Sequence, residues 1–183
     1  DELRMFLLAF GTGWVMAGIA AWYVVLLDDP FQLTSDPARF YSLALLSRHL
    51  PFRRLFTLTD APGAIALWRN VYAIFAAIGF KTDRYLGILV NVSCVALAGV
   101  LAVRITRMVY GEDPCRTKRI TVVFCGCALF WLFASMHLRD AFVLFAATGM
   151  ATVWTWYLVR PTLFRAGWLF VASVLALPLF FVL

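Results

Sequence analysis

Charge is the scarcest property of this sequence. Only 14% of its 183 residues are Asp, Glu, Lys or Arg, whereas a soluble domain has about a quarter. Hydrophobic residues make up 63%, and the 17 Phe, seven Trp and six Tyr suit contact with lipid and its interfaces. A single water-soluble core of this length could not bury so much apolar surface. The composition therefore excludes an ordinary soluble domain and predicts an integral membrane protein.

The sequence also lacks a metal-binding motif and a nucleic-acid-binding face. No two of its four Cys have the spacing of a zinc site, and Cys125 and Cys127 would point about 200° apart on a helix. The net charge is +6, but the basic residues flank apolar runs and form no stripe with interleaved aromatics. We therefore expect no metal, no cofactor and no nucleic-acid partner, with a divalent cation left open, and we assign the positive charge to contact with lipid headgroups.

Five uncharged runs are long enough, at about 17 to 25 residues, to cross the hydrocarbon core of a bilayer. They are residues 5–27, 85–103, 120–136, 141–159 and 166–183. Each must be helical to satisfy its backbone hydrogen bonds in lipid. We therefore predict an all-α membrane protein, with 1–183 as one transmembrane domain and 28–84 as an outer loop. The sequence leaves open that these residues are a fragment of a longer chain.

The distribution of Lys and Arg predicts the orientation of these spans. Five basic residues lie within sixteen positions between the second and third spans: Arg104, Arg107, Arg116, Lys118 and Arg119. Basic residues concentrate in short cytoplasmic loops. The turn between the fourth and fifth spans adds Arg160 and Arg165. The totals on the two sides are equal at eight, but seven of the eight on the opposite side are spread over 28–84, where the rule is weaker. We therefore predict a cytoplasmic N-terminus, with 28–84 and the turn 137–140 on the outer face.

The outer loop contains two predicted helices. Asp36 followed by Pro37 is typical of a helix start, with Asp as the N-cap and Pro in the first turn. A second start lies at residues 60–62. Apolar residues recur at helical spacing after both, which predicts amphipathic helices at the membrane surface. Arg69 and Asn70 interrupt the second helix too centrally for a sixth span.

Polar groups on the predicted outer face suggest the chemistry of sugar transfer. A carboxylate such as Asp36 can act as general base on an acceptor hydroxyl or amine. An arginine such as Arg139 can bind a phosphate leaving group through two hydrogen bonds. Each residue also has a plain structural interpretation: Asp36 as a helix cap alone, His137 as an interfacial residue, and Arg139 with Asp140 as a self-paired turn.

Three stretches carry a family resemblance, residues 35–41 (SDPARFY), 84–91 (RYLGILVN) and 135–141 (SMHLRDA). Their order and placement resemble the N-terminal part of GT-C-type membrane glycosyltransferases that use polyprenyl-phosphate-linked sugars, including mannosyltransferase-like and aminoarabinose-transferase-like members. The resemblance implies a catalytic carboxylate at Asp36. It also implies that the substrate is bound by Arg39, Tyr41, His137, Arg139 and Asp140.

Two functions therefore stay open on the sequence. The first is transfer of a sugar from a polyprenyl-phosphate donor to a glycan, lipid or protein acceptor of the cell envelope. The second is a non-catalytic small subunit that packs within a larger complex of membrane proteins. A transporter is disfavoured because the predicted spans carry no ionisable residue except at their ends, and ion pathways usually need one. Membrane lipids are expected partners in either case.

Overall fold

Every regular element that the computed structural model describes, in residues 2–26, 36–59, 62–135 and 140–182, is helical. The elements are α1 Glu2–Leu26, α2 Asp36–Leu46, a single 3₁₀ turn Ser47–His49, α3 Phe52–Leu58, α4 Pro62–Ala77, α5 Arg84–Tyr110, α6 Pro114–Gly126, α7 Ala128–Ser135, α8 Asp140–Val159 and α9 Leu163–Val182. The predicted all-α class is confirmed for these ranges.

Among the residues that the structure describes, three helices are long and apolar enough to cross a membrane. The qualifying segments are Glu2–Ala20 in α1, Tyr85–Tyr110 in α5 and Asp140–Val159 in α8. They coincide with the first, second and fourth predicted spans, so the chain is an integral membrane protein by length and composition. The corresponding apolar stretch in α9, Leu163–Ala176, is shorter.

The third predicted span, 120–136, is interrupted. α6 ends at Gly126, and Cys127 leaves the helical conformation (ψ 93°) before α7 begins. A continuous helix would direct the amide of residue 129 to the carbonyl of Cys125. The indole Nε1 of Trp131 donates to that carbonyl instead, at 2.9 Å. The expectation of one uninterrupted helix is therefore wrong at Cys127, where a side chain replaces a backbone donor.

α1 and α5 pack antiparallel at the centre of the bundle. At one end, Glu2 lies 3.4 Å from the Nε of Arg104. Further along, a Cβ on Gly13 would lie 2.6 Å from a methyl group of Val92 and 2.9 Å from the ring of Trp131. Glycine is thus the residue that lets α1 approach α5 and α7 so closely. The buried core around this contact also includes Met5, Ala9, Val95, Ala96, Phe124 and Ala141.

A second cluster closes one end of the bundle. Ala44 of α2 and Trp68 and Tyr72 of α4 are buried with Leu86, near the start of α5. The ring of Trp68 meets the ring of Phe142, near the start of α8, edge to face at 5.2 Å. α2 and α4 therefore lie where α5 and α8 begin. Because α1 and α5 are antiparallel, the end that holds Glu2 and Arg104 is the opposite one.

Candidate functional site

The structure describes the predicted site residues only in part. The described part of α2 starts at Asp36, directly after residues outside the description, so the predicted helix start at Asp36 and the side chain of Asp36 both lie outside what the structure describes. His137 and Arg139 also lie outside the described residues. Arg39 on α2 and Asp140 at the start of α8 are both exposed. The predicted grouping around Asp36 therefore stays a prediction.

Tyr41, a predicted substrate contact, packs within the protein against Thr82 and Tyr72. Its hydroxyl donates to the carbonyl of Thr82 at 3.3 Å, and its ring meets that of Tyr72 edge to face at 5.8 Å. Burial in this cluster, with smaller contributions from Tyr41 and Asp83, raises the pKa of the Tyr72 hydroxyl well above its usual range. The raised pKa keeps the Tyr72 hydroxyl protonated, so Tyr72 is not a base near neutral pH. The buried cluster around it packs α2 against α4.

A groove of about 670 Å³ lies between the turn after α2 and the outer face of α4. Its lining residues are Arg48, His49, Leu50, Pro51, Arg69, Asn70, Ala73 and Ala76. We call it the cationic groove, because two guanidinium groups line it and none of these residues is acidic. The small side chains of Ala73 and Ala76 leave the space along α4 open.

Arg69 builds the groove from the α4 side. Its Nη1 donates to the carbonyl of Leu50 at 2.9 Å and, at the limit of hydrogen bonding, to that of Ser47 at 3.5 Å. Both carbonyls belong to the turn after α2, and that of Ser47 also accepts from the amide of Leu50 at 3.0 Å. Arg69 therefore joins α4 to the turn and is itself held in place.

Arg48 builds the opposite wall. Its Nη2 donates to the hydroxyl oxygen of Thr82 at 2.9 Å. Thr82 thus accepts hydrogen bonds from both Tyr41, at its carbonyl, and Arg48, at its hydroxyl. A guanidinium has five N–H donors, so this contact occupies only part of its capacity. Two arginines fixed across one groove can bind an oxyanion bidentately.

The cationic groove is the part of the site that sequence reasoning missed. Arg48 and Arg69 are 21 positions apart, and neither belongs to the stretches that carry the family resemblance. A weak signal existed: Arg69 and Asn70 interrupt an apolar helix face, and Arg48 and His49 stand just before a helix-ending Pro51. These two groups of residues come together only because α2 packs against α4, which the sequence does not show.

The described ranges contain no group of three or more His, Cys, Asp or Glu side chains that could hold a metal ion. Comparison with known proteins adds no relative: the chain matches no protein-family model, no curated protein and no solved structure.

Proposed function

We propose that this chain transfers a sugar from a polyprenyl-phosphate donor to a glycan, lipid or protein acceptor at the outer face of a bacterial inner membrane. The observation that supports the proposal is the position of α2. The helix that begins at Asp36 packs, through Trp68 of α4, on the end of the bundle where α8 begins. Asp140, the first residue of α8, is exposed at this end.

The proposal includes five membrane passages with a cytoplasmic N-terminus. α1, α5 and α8 supply three of them, α6 and α7 together supply one with a break at Cys127, and α9 supplies the last. Non-helical backbone is tolerated at membrane depth where protein groups satisfy it, as the Trp131 indole does for Cys125. The basic residues near Arg104 and Arg116 would then face the cytoplasm. α2 and α4 would lie at the outer surface.

In the proposed reaction, Asp36 removes a proton from the acceptor hydroxyl as the oxygen attacks the anomeric carbon of the sugar. The bond from that carbon to the phosphate oxygen breaks, and the polyprenyl phosphate leaves with the electron pair. Positive charge near the phosphate stabilises the leaving group. Arg39, Tyr41, His137, Arg139 and Asp140 are the proposed substrate contacts.

The test is sugar transfer by purified protein in nanodiscs, with Asp36→Asn compared with the wild type. Asn keeps the size of the side chain and the preference for a helix start, but it removes the base. We expect turnover to fall by about 10²–10⁴-fold. Asp113→Asn is the matched control, because Asp113 caps α6 by accepting from the amide of Cys115 and lies at the opposite end of the bundle.

Two results would contradict this proposal in different ways. Full activity in Asp36→Asn would remove Asp36 from the mechanism. Absence of transfer by the wild-type chain from every polyprenyl-phosphate sugar tried would favour a packing subunit instead. The apolar surface of α9, where Leu163 and Phe164 are exposed, would then be the face that contacts another membrane protein.

A further inference from the structure

The cationic groove lies in a strongly basic part of the chain. Residues 36–84 hold seven Lys or Arg against three Asp. Of the residues that line the groove, Arg48, His49 and Asn70 have exposed side chains, and Arg69 is half-buried. The field at the groove therefore favours an anion, and its ligand would meet hydrogen-bond donors from both walls.

The two arginines are held before any ligand arrives. Arg48 is tied to Thr82, and Arg69 is tied to Leu50, so each guanidinium is fixed by the packing of α2, α4 and the segment that precedes α5. Fixed donors lose little conformational entropy when a ligand binds. Planar guanidinium groups match the geometry of phosphate oxygens better than an ammonium group does.

An apolar strip borders the groove on α4. Ile74 and Ile78 lie one turn apart on the same side of the chain and are 63% and 64% exposed. Ile74 lies one turn after Asn70, which lines the groove. A ligand that carries a phosphate and a hydrocarbon chain would satisfy both surfaces, whereas a free phosphate would use only the first.

We propose that the cationic groove binds the phosphate of a membrane lipid headgroup. Arg48 and Arg69 donate to the phosphate oxygens, Asn70 and His49 border the headgroup, and the hydrocarbon chain lies along Ile74 and Ile78. α2 has 11 residues, so the groove at its end is about 15 Å from Asp36 at its start. Binding needs neither Asp36 nor a sugar, so it stands apart from the proposed transfer reaction.

The test is native mass spectrometry of the full chain in detergent, with phosphatidic acid as the probe. Diacylglycerol with the same acyl chains and inorganic phosphate are the two comparison ligands. We expect phosphatidic acid to bind at least tenfold more tightly than either. Equal binding of diacylglycerol would remove the phosphate from recognition, and equal binding of inorganic phosphate would remove the lipid. Either result would overturn the proposal.

Two pairs of variants locate the binding. Ala73→Leu fills the groove without a change of charge and should weaken binding about tenfold, whereas Ala77→Leu, one turn further along α4 and outside the lining, should not. Arg48→Gln should also weaken binding about tenfold, equivalent to about 1.4 kcal/mol. The exposed Arg53, changed to Gln, is its control.

These variants also keep the proposal open to contradiction if one of them misfolds. Arg48→Gln removes the contact with Thr82, so the melting temperature of this variant is measured first. If Arg48→Gln is unfolded, the binding measured for Ala73→Leu is the test. Unchanged binding in Ala73→Leu would place the lipid elsewhere. Equal losses in Arg48→Gln and Arg53→Gln would reveal diffuse attraction without a defined site. Each of these results overturns the assignment.

Discussion

The indole of Trp131 donates to the carbonyl of Cys125 at 2.9 Å across the break between α6 and α7. Trp131 is 1% exposed, and its ring also lies against the position of Gly13 on α1. One side chain therefore satisfies a carbonyl at the break and fills the space between three helices. The turn of the chain at Cys127 depends on this residue as well as on local backbone preference.

Trp131→Phe should lower the free energy of unfolding. The substitution keeps an aromatic ring in the core but leaves the Cys125 carbonyl without its indole donor, which costs about 1–3 kcal/mol for a buried group. The measurement is reversible unfolding in mixed micelles. Trp154→Phe on α8, where the side chain is 48% exposed, is the control and should change stability by less than about 0.5 kcal/mol. Equal losses of unfolding free energy in both variants would show that the hydrogen bond to the Cys125 carbonyl contributes nothing beyond the change in ring size.

Gly13→Ala should destabilise the α1–α5 contact. The added Cβ would meet a methyl of Val92 at 2.6 Å and the Trp131 ring at 2.9 Å, and both groups are stiff. Overpacking of this kind costs about 1–3 kcal/mol. Gly11→Ala, two residues earlier on α1, meets nothing within 4 Å and should be neutral or stabilising by up to about 1 kcal/mol. A neutral Gly13→Ala would show that α1 can move away from α5 at no cost.

The physical origin of each element decides how far it could be predicted from sequence. Helical spacing of the apolar residues after Asp36 predicts a helix from local pattern alone, and the structure describes one over Asp36–Leu46. The break at Cys127 does not follow from local pattern, because a uniformly apolar run contains no signal for a donor six residues away in Trp131. The predicted span at 120–136 is uncharged, as a span requires, but its helix is broken at Cys127.

In the candidate site, too, residues in short local patterns could be selected from sequence, whereas a group of residues joined by long-range contacts could not. Asp36 and Asp140 were selected by short patterns, and they lie on α2 and α8. The cationic groove depends on contacts between distant positions, such as Arg69 with Leu50 and Arg48 with Thr82. Long-range contacts of side chains leave no periodic trace in one sequence. Function was therefore assigned to the part of the outer loop that resembled a motif, and the groove at the other end of α2 was not recognised.

The pH dependence of stability should report the buried Tyr72. Burial raises the pKa of its hydroxyl in the folded state, so the folded protein holds this proton at a pH where the unfolded chain has lost it. The contribution to stability is complete below the unfolded value near 10 and falls as pH rises above it. The loss is at most about 1.4 kcal/mol per pH unit.

Tyr72→Phe tests this assignment. The variant cannot ionise, so its free energy of unfolding should fall less steeply than that of the wild type between pH 10 and about pH 11. Tyr85→Phe is the control, because Tyr85 is 54% exposed at the start of α5. Parallel curves for the wild type and Tyr72→Phe would show that other groups cause the alkaline loss of stability.

Labelling with an impermeant thiol reagent should place the two ends of the bundle on opposite sides of the membrane. Cys115 is exposed near the start of α6, at the end of the bundle that holds Glu2 and Arg104, so the native chain already carries one reporter. It should react only after permeabilisation.

Thr57→Cys in a Cys115→Ser background should react in intact cells, because Thr57 is exposed on α3 beside α4. The opposite pattern would invert the proposed orientation, and labelling of both positions from outside would contradict a bundle that crosses the membrane between them. Cys115 is a better reporter than a cysteine at Thr117 on the same helix, because the side chain of Thr117 is buried and a thiol there would stay unlabelled for steric reasons alone.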